Sequence, residues 1–187
     1  MAKKEIFDVK GVGMLMSSYH HIPVDRADGQ GSVDQAIKQL RAGDLVGIFP
    51  EATISRSFEV KEFRQGAARI AHAADVPLIP LTIWGSQRVW TKGRKPIWKP
   101  KKTELVITVG KPIEVTDDAE ATTALLHQTM VEQLDFTRDR WEERFGPMPK
   151  GEFWVPAALG GSAPTLEDAT VQDRADAAAR KEKRAQE

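Results

Sequence analysis

The residues best suited to bind an anion follow a short apolar run near the middle of the chain. Residues 48–57 read Ile-Phe-Pro-Glu-Ala-Thr-Ile-Ser-Arg-Ser, so Glu51, Thr53, Ser55 and Arg56 come directly after apolar residues. Hydroxyls, backbone N–H groups and a guanidinium can together hold a phosphate group. The same residue types also fit a solvated loop at the end of a strand, and they do not decide between the two interpretations.

An alternation of strands and helices is predicted to position this loop. Compact apolar runs indicate strands at residues 45–49, 78–84 and 104–109. Amphipathic or Ala-rich runs indicate helices at residues 33–42 and 65–74. Strands that are apolar on both faces are typical of a sheet covered by helices. We therefore expect an α/β fold with a central, mostly parallel or mixed sheet flanked by helices. Ligands of such sheets bind at the carboxyl ends of strands, where residues 50–57 would lie.

The second half of the chain predicts a long helix followed by a tail. An apolar stripe with helical spacing runs through residues 118–145. Prolines and glycines then interrupt the pattern, and residues 165–187 are rich in Ala and charged residues with little to bury. We expect a domain over residues 1–149 and a flexible or helical tail over residues 150–187. Ser32 is the expected N-cap of the helix at 33–42.

The composition argues against several classes of protein. The 27 basic and 27 acidic residues balance, which does not favour a general nucleic-acid binder. The chain has no Cys, and no apolar run is long enough to span a bilayer. The four His residues, at positions 20, 21, 72 and 127, lack metal-ligand spacing, so we predict neither a metal site nor a cofactor.

A basic segment with interleaved tryptophans lies at residues 87–102, with seven Lys or Arg and no acidic residue. Tryptophan prefers membrane interfaces, and clustered cations attract anionic headgroups, so the segment predicts contact with a membrane surface. A solvated loop packed on the domain and an RNA-binding segment are the alternatives. The candidate membrane-contact residues are Trp90, Arg94, Lys95, Trp98, Lys101 and Lys102.

Four segments in order resemble motifs of the glycerolipid acyltransferases, and the resemblance covers about residues 1–112. Residues 49–55, Phe-Pro-Glu-Ala-Thr-Ile-Ser, resemble the family's Phe-Pro-Glu-Gly-Thr-Arg-Ser. Residues 2–13 resemble the Lys-x-Glu-Leu segment, residues 22–26 the motif that ends in Arg, and residues 76–80 the Val-Pro-Ile-Val-Pro motif. One such motif is weak, but four in order are specific. The closest group is the 1-acylglycerol-3-phosphate (lysophosphatidic acid) acyltransferases.

The resemblance implies acyl transfer in phospholipid biosynthesis. The donor would be a thioester of coenzyme A or acyl carrier protein, and the acceptor a lysophospholipid hydroxyl. The protein would lie peripherally on the cytoplasmic side of an anionic membrane. Carried over by position, the acceptor and its phosphate would be held by Lys3, Lys4, Arg26, Glu51, Ala52, Thr53, Ser55 and Arg56.

The sequence departs from the family pattern in three places. The family's catalytic His-x-x-x-x-Asp precedes the Lys-x-Glu-Leu segment, so we expect it to be encoded upstream of Met1 and assign no catalytic residue to this chain. Without that motif, the chain is expected to lack transfer activity of its own. His20 and Asp25 have that spacing, but Asp25 belongs to the motif ending at Arg26, which makes His20 a poor base. Ala52 replaces the family's Gly, which limits positive φ there.

The third departure is Ile54 in place of an Arg, for which Arg56, Arg26 or Lys61 could substitute. These changes put the identity of the acceptor in most doubt. A non-catalytic protein that binds lipid phosphate, or a regulatory remnant, is the main alternative function. A nucleotide-binding fold based on Gly11-x-Gly13 is weaker, since the third glycine of that motif is missing.

Overall fold

The chain alternates helices with short strands, so its class is mixed α/β, as predicted. The computed structural model describes residues 1–25, 29–97 and 102–186. The elements in order are β1 (Ala2–Lys3), α1 (Lys4–Phe7), α2 (Val12–Ser18), β2 (Pro23–Val24), α3 (Gln30–Arg41), α4 (Gly66–Ala74), β3 (Leu81–Trp84), β4 (Val106–Val109), α5 (Ala119–Phe145) and α6 (Leu166–Gln186). Short 3₁₀ turns lie at Ser86–Arg88 and Ala157–Leu159.

These elements form two compact units. Unit 1 comprises Met1–Ala52, Phe63–Ile79 and Lys111–Leu126. Unit 2 comprises Thr53–Glu62, Pro80–Gly110 and His127–Glu187. The chain therefore passes from unit 1 to unit 2 within the motif at residues 49–55. The expected domain boundary at residue 149 falls inside unit 2.

In unit 1, helices α3 and α4 pack against each other, and β1 and β2 form a short parallel strand pair. β1 pairs with β2, Ala2 opposite Pro23 and Lys3 opposite Val24. Ile22, Ala36 and Ile70 are buried together in its core. The buried alanines of α4 let it pack closely, and α4 ends at Asp75, whose φ of 57° is left-handed.

The start of α3 differs from the prediction. The helix begins at Gln30 after Gly29, two residues before the expected cap. Ser32 lies inside the helix, where its hydroxyl donates a hydrogen bond of 2.9 Å to the carbonyl of Pro23. Ser32 therefore ties α3 to β2 instead of capping α3, a role that no local pattern indicates.

The prediction of a buried strand at residues 45–49 is wrong. The segment is assigned to no strand, and Leu45 and Phe49 are 94% and 81% exposed. Val46 and Ile48, on the opposite face, pack against the core of unit 1. The run is apolar on both faces, but unit 1 covers only one of them.

Unit 2 contains a two-stranded antiparallel sheet, within the runs predicted as strands. β3 and β4 pair with Leu81 opposite Val109 and Ile83 opposite Ile107. These four side chains are exposed, whereas Trp84 on the other face of β3 is buried. As in the segment at residues 45–49, apolar residues occupy both faces and one face is covered.

The long helix α5 confirms its prediction closely. It begins where the Asp118 carboxylate accepts hydrogen bonds from the N–H groups of Glu120 and Ala121, at 3.0 and 2.9 Å. Such a cap satisfies donors at the helix start that have no partner within the helix. In unit 2, Gln133 donates to the carbonyl of Thr108 at 2.8 Å, and this bond joins α5 to β4.

The segment after α5 contributes more to the core than its composition suggests. Met148, Trp154 and Val155 are buried together with Trp84, Leu134 and Trp141. The final helix α6 is the helical form of the expected tail. Among the described residues, no helix combines the length and apolar character needed to cross a bilayer.

Candidate functional site

Residues 49–52 form a tight turn in unit 1. The N–H of Ala52 donates to the carbonyl of Phe49 at 3.2 Å, and the N–H of Arg64 donates to the carbonyl of Pro50 at 3.0 Å. Glu51 is half-buried in this turn. The hydrogen bonds fix the chain direction immediately after the apolar segment, where the sequence predicts a binding loop.

Ala52 adopts the conformation that the resemblance assigns to a glycine. Its φ is 55°, in the left-handed region. A residue with a Cβ pays roughly 1–2 kcal/mol for that conformation. The turn therefore needs positive φ whichever residue occupies it, and alanine holds it under strain.

Ala52→Gly is expected to raise the free energy of unfolding by about 1 kcal/mol, because it relieves the strained φ and loses only part of that gain to unfolded-chain entropy. Urea denaturation followed by circular dichroism measures the change. The matched control is Ala124→Gly in the interior of α5, where the same substitution should lower stability by about 1 kcal/mol. A loss of stability in Ala52→Gly would contradict the strain at this turn.

The other part of the motif lies in unit 2 and forms a second turn. The Ser55 hydroxyl donates to the carbonyl of Glu59 at 2.9 Å and lies 3.1 Å from the hydroxyl of Ser57. Ser57 is buried and accepts a hydrogen bond from the N–H of Glu59, while Phe58 has a left-handed φ of 60°. Ser55 thus organises residues 55–59.

Arg56 is part of a group of ion pairs, which we call the ion-pair cluster. Its members are Arg56, Lys61, Lys92, Asp173 and Asp176. The Asp173 carboxylate pairs with both lysines and lies 3.4 Å from the Arg56 Nε. The Asp176 carboxylate lies 2.7 Å from the Arg56 guanidinium and 3.1 Å from the Lys92 ammonium. Two candidate phosphate donors, Arg56 and Lys61, are therefore engaged by α6.

The cluster lowers the pKa of both aspartates. Burial is the largest influence on the pKa of Asp173 and opposes ionisation, but hydrogen bonds and attraction from Lys61 and Lys92 outweigh it. The pKa of Asp176 is lowered mainly by its hydrogen bond from Arg56 and then by that from Lys92. Both carboxylates are therefore held ionised in the folded state.

Acidification is expected to loosen α6. A carboxylate whose folded pKa is depressed contributes stability above its unfolded pKa, about 4, and that stability is lost as the pH falls through the folded value. Hydrogen exchange of the α6 amides should rise below about pH 4 after correction for the intrinsic rate, while exchange of α3 rises less. Equal responses of α3 and α6 would contradict the role of these ion pairs.

Unit 1 brings Lys4 to Asp25. Their charged groups lie 3.1 Å apart, and both side chains are exposed to solvent. The parallel pairing of β1 and β2 causes this approach, because each residue directly follows one of the paired strands. An exposed pair contributes at most about 1 kcal/mol, so Lys4 can exchange Asp25 for another anion at small cost. Arg26 and the side chain of Lys3 lie outside the described residues.

The histidines show no cluster typical of a metal site. His20 has a left-handed φ of 54° and is exposed, as are His21 and His72. Asp25, which has catalytic spacing to His20, is the carboxylate that pairs with Lys4. Within the described residues, no three His, Asp or Glu side chains group as metal ligands.

The sequence model of the acyltransferase family matches residues 1–84. The match covers less than half of the chain. A 1-acyl-sn-glycerol-3-phosphate acyltransferase of Bacillus subtilis is 35% identical over 136 residues, 72% of this chain and 64% of the relative. The chloroplastic 1-acyl-sn-glycerol-3-phosphate acyltransferase BAT2 of Brassica napus is 29% identical over 60% of this chain and 33% of its own length. The chain therefore spans less than two thirds of either relative.

A solved acyltransferase shares the fold. The crystal structure of the 1-acyl-sn-glycerophosphate acyltransferase PlsC of Thermotoga maritima aligns with a TM-score of 0.61 and 23% identity. The alignment covers 75% of this chain and 56% of that one. The mixed α/β architecture predicted from the sequence is thus shared with that solved structure.

Much of the described part of the basic segment at residues 87–102 is engaged internally. The guanidinium of Arg88 pairs with Glu104 and stacks on Trp154, and that of Arg94 lies 3.9 Å from the ring centre of Phe153. Trp90, Lys95 and Lys102 are exposed. Trp98 and Lys101 lie outside the described residues.

Two features of this chain escape sequence reasoning. The partners of Arg56 in the ion-pair cluster are 117 and 120 residues away. Arg138, which is buried, donates 2.8 Å to the carbonyl of Phe58 and pairs with Glu59. No local pattern reports such contacts. The sequence signal for Arg138 is its place between Leu134 and Trp141, at helical spacing from both, in the apolar stripe of α5.

Proposed function

We propose that the chain takes part in acyl transfer from an acyl thioester to the hydroxyl of a lysophospholipid, with 1-acylglycerol-3-phosphate as the acceptor. The observation that carries the proposal is the acyltransferase match over residues 1–84, which contains the segments at 49–55 and 76–80. The strained turn at Ala52 supports it, because the resemblance expects a glycine at that position.

The acceptor has two ends that need different partners. Its phosphate requires cations and N–H donors, which Lys3, Lys4 and Arg26 and the backbone of residues 51–52 would supply. Its hydroxyl must lose a proton to a general base, and the thioester oxygen must be stabilised as charge develops on it. We assign Glu51, Ala52 and these cations to acceptor recognition, with Glu51 as a positioning residue.

A binding measurement tests acceptor recognition. The full chain is titrated with a short-chain 1-acylglycerol-3-phosphate below its micelle concentration, and the tryptophan fluorescence is followed. We expect Glu51→Gln to weaken binding about tenfold or more, a loss of about 1.4 kcal/mol. The matched control Glu62→Gln, an exposed carboxylate of the same region, should bind like the parent chain. No binding by the parent chain, or equal binding by both variants, would overturn the assignment.

The thioester donor is proposed to be acyl-coenzyme A or acyl carrier protein. Both present the same thioester, and they differ in the carrier that the protein must recognise. Parallel reactions with each donor distinguish them. Acceptor binding without transfer from either donor would favour the non-catalytic alternative, in which the chain binds lipid phosphate only.

We further propose that the chain binds peripherally to an anionic membrane on the cytoplasmic side, through the exposed residues Trp90, Lys95 and Lys102. A lysine near such a surface contributes about 1 kcal/mol, which is about fivefold in affinity. Lys95→Ala with Lys102→Ala should therefore weaken binding to phosphatidylglycerol vesicles by about twenty-fold or more.

Flotation or sedimentation of these vesicles measures the effect. The matched control Lys38→Ala with Lys111→Ala removes two exposed lysines of unit 1 and should leave vesicle binding nearly unchanged. Binding that ignores lipid charge, or an equal loss in both double variants, would contradict a specific membrane contact at this segment.

A further inference from the structure

The ion-pair cluster of unit 2 concentrates positive charge in a partly buried place. Arg56, Lys61 and Lys92 come from two separate segments and converge on two carboxylates of α6. Three cations against two anions leave one net positive charge. The side chain of Asp173 is 13% exposed, and those of the three cations are nearly as shielded. Screening by water and salt is weaker here than at an open surface.

Asp173 is the anion that the three cations of the cluster share. Its carboxylate carries a single charge but is shared among all three cations. A phosphomonoester carries between one and two negative charges near neutral pH and has three strong acceptor oxygens. Such a group offers one oxygen to each cation and can carry nearly the charge of the two carboxylates together.

The attachment of α6 depends strongly on these ion pairs. Among the α6 side chains that the structure describes, Ala169 is the one that is fully buried, while Leu166 and Val171 are exposed. Burial of an alanine methyl stabilises a helix far less than burial of a leucine. An anion that competes for the three cations can therefore displace this part of α6, because a ligand that binds only the open form shifts the equilibrium toward it.

We propose that Arg56, Lys61 and Lys92 form a phosphomonoester-binding site, which Asp173 and Asp176 of α6 occupy in the ligand-free chain. The helix thus acts as an internal competitor. Ligand binding releases the segment around Asp173. Substitution of both carboxylates by neutral side chains leaves the three cations free to bind a ligand. The proposal stands on the geometry of the cluster and does not require acyl transfer.

Titration of the full chain with inorganic phosphate at constant ionic strength, balanced with chloride, tests the site. Asp173→Asn with Asp176→Asn should bind phosphate at least about tenfold more tightly than the parent chain. The matched control Glu167→Gln with Glu182→Gln removes two charges from the same helix and should bind like the parent. Adding Lys92→Gln to the double Asn variant should reverse the gain. A double Asn variant that binds within about twofold of the parent overturns the proposal.

Hydrogen exchange of the parent chain keeps the proposal testable if the double Asn variant does not fold. Phosphate should increase exchange of the α6 amides around Asp173 relative to chloride at equal ionic strength, and an unchanged pattern overturns the proposal.

Vesicles containing phosphatidic acid or phosphatidylglycerol then identify the source of the ligand. Stronger binding of the double Asn variant to phosphatidic acid alone indicates a lipid headgroup, and a response to free phosphate alone indicates a soluble phosphomonoester. A failed acyl-transfer assay leaves these outcomes standing.

Discussion

Trp84→Ala is expected to lower the free energy of unfolding of unit 2 by about 3–5 kcal/mol, the largest single effect we foresee. The indole is 2% exposed and lies in one core with Leu134, Trp141, Trp154 and Val155. Truncation removes its apolar surface and leaves a cavity, because the helix and strands around it are tied by hydrogen bonds and cannot collapse.

Urea denaturation followed by circular dichroism measures this loss. Trp90→Ala is the matched control, since that side chain is 65% exposed and its truncation should cost less than about 1 kcal/mol. If both variants lose the same stability, Trp84 does not support the core as the structure describes.

Arg138→Ala is expected to cost about 3 kcal/mol or more, because it removes one partner of a shielded ion pair. The Arg138 side chain is 7% exposed, and its guanidinium donates to the carbonyl of Phe58 at 2.8 Å and lies 3.1 Å from the Glu59 carboxylate. It also lies 4.8 Å from the centre of the Trp84 ring. Its loss leaves the Phe58 carbonyl and the Glu59 carboxylate without this donor in a partly buried place.

Arg140→Ala, two residues further along α5, is the matched control. Arg140 pairs with Glu143 in solvent, so its removal should cost about 0.5 kcal/mol or less. A double-mutant cycle with Glu59→Gln then isolates the pair itself, and we expect a coupling energy of about 1 kcal/mol or more. Full additivity, or equal losses at Arg138 and Arg140, would contradict an anchoring role for Arg138.

The parts of the fold that the sequence predicts well are those with strong local signals. α5 combines a helical apolar stripe with a carboxylate cap at Asp118, so both its existence and its start are predictable. β3 and β4 lie within compact apolar runs bounded by glycine or proline. Their antiparallel pairing depends on contacts distant in sequence, which composition does not report.

The segment at residues 45–49 shows where such reasoning fails. A run that is apolar on both faces predicts a strand buried on both faces. Here Val46 and Ile48 reach the core, whereas Leu45 and Phe49 face outward, and the segment has no strand partner among the described residues. The residue types report which surfaces are apolar, but not which of them the fold covers.

The candidate site is likewise predicted from the sequence only in part. The motif at residues 49–55 is visible in the sequence, and so is the unusual alanine that the structure places at a positive φ. The partners of Arg56 and Lys61 are not visible, because Asp173 and Asp176 lie in a helix that composition marks as a tail. Acidic residues in a segment that composition marks as a tail can therefore be the partners of basic residues far away in the sequence.

Acylation of 1-acylglycerol-3-phosphate tests the central claim most directly. The full chain is incubated with this acceptor and with radiolabelled acyl-coenzyme A or acyl carrier protein, and the labelled lipid product is separated and counted. Our account predicts that the chain binds the acceptor and that Glu51→Gln weakens this binding about tenfold or more, with Glu62→Gln unaffected. Labelled phosphatidic acid is expected where a general base for the acceptor hydroxyl is present. A chain that neither binds the acceptor nor forms this product with either donor would contradict the account.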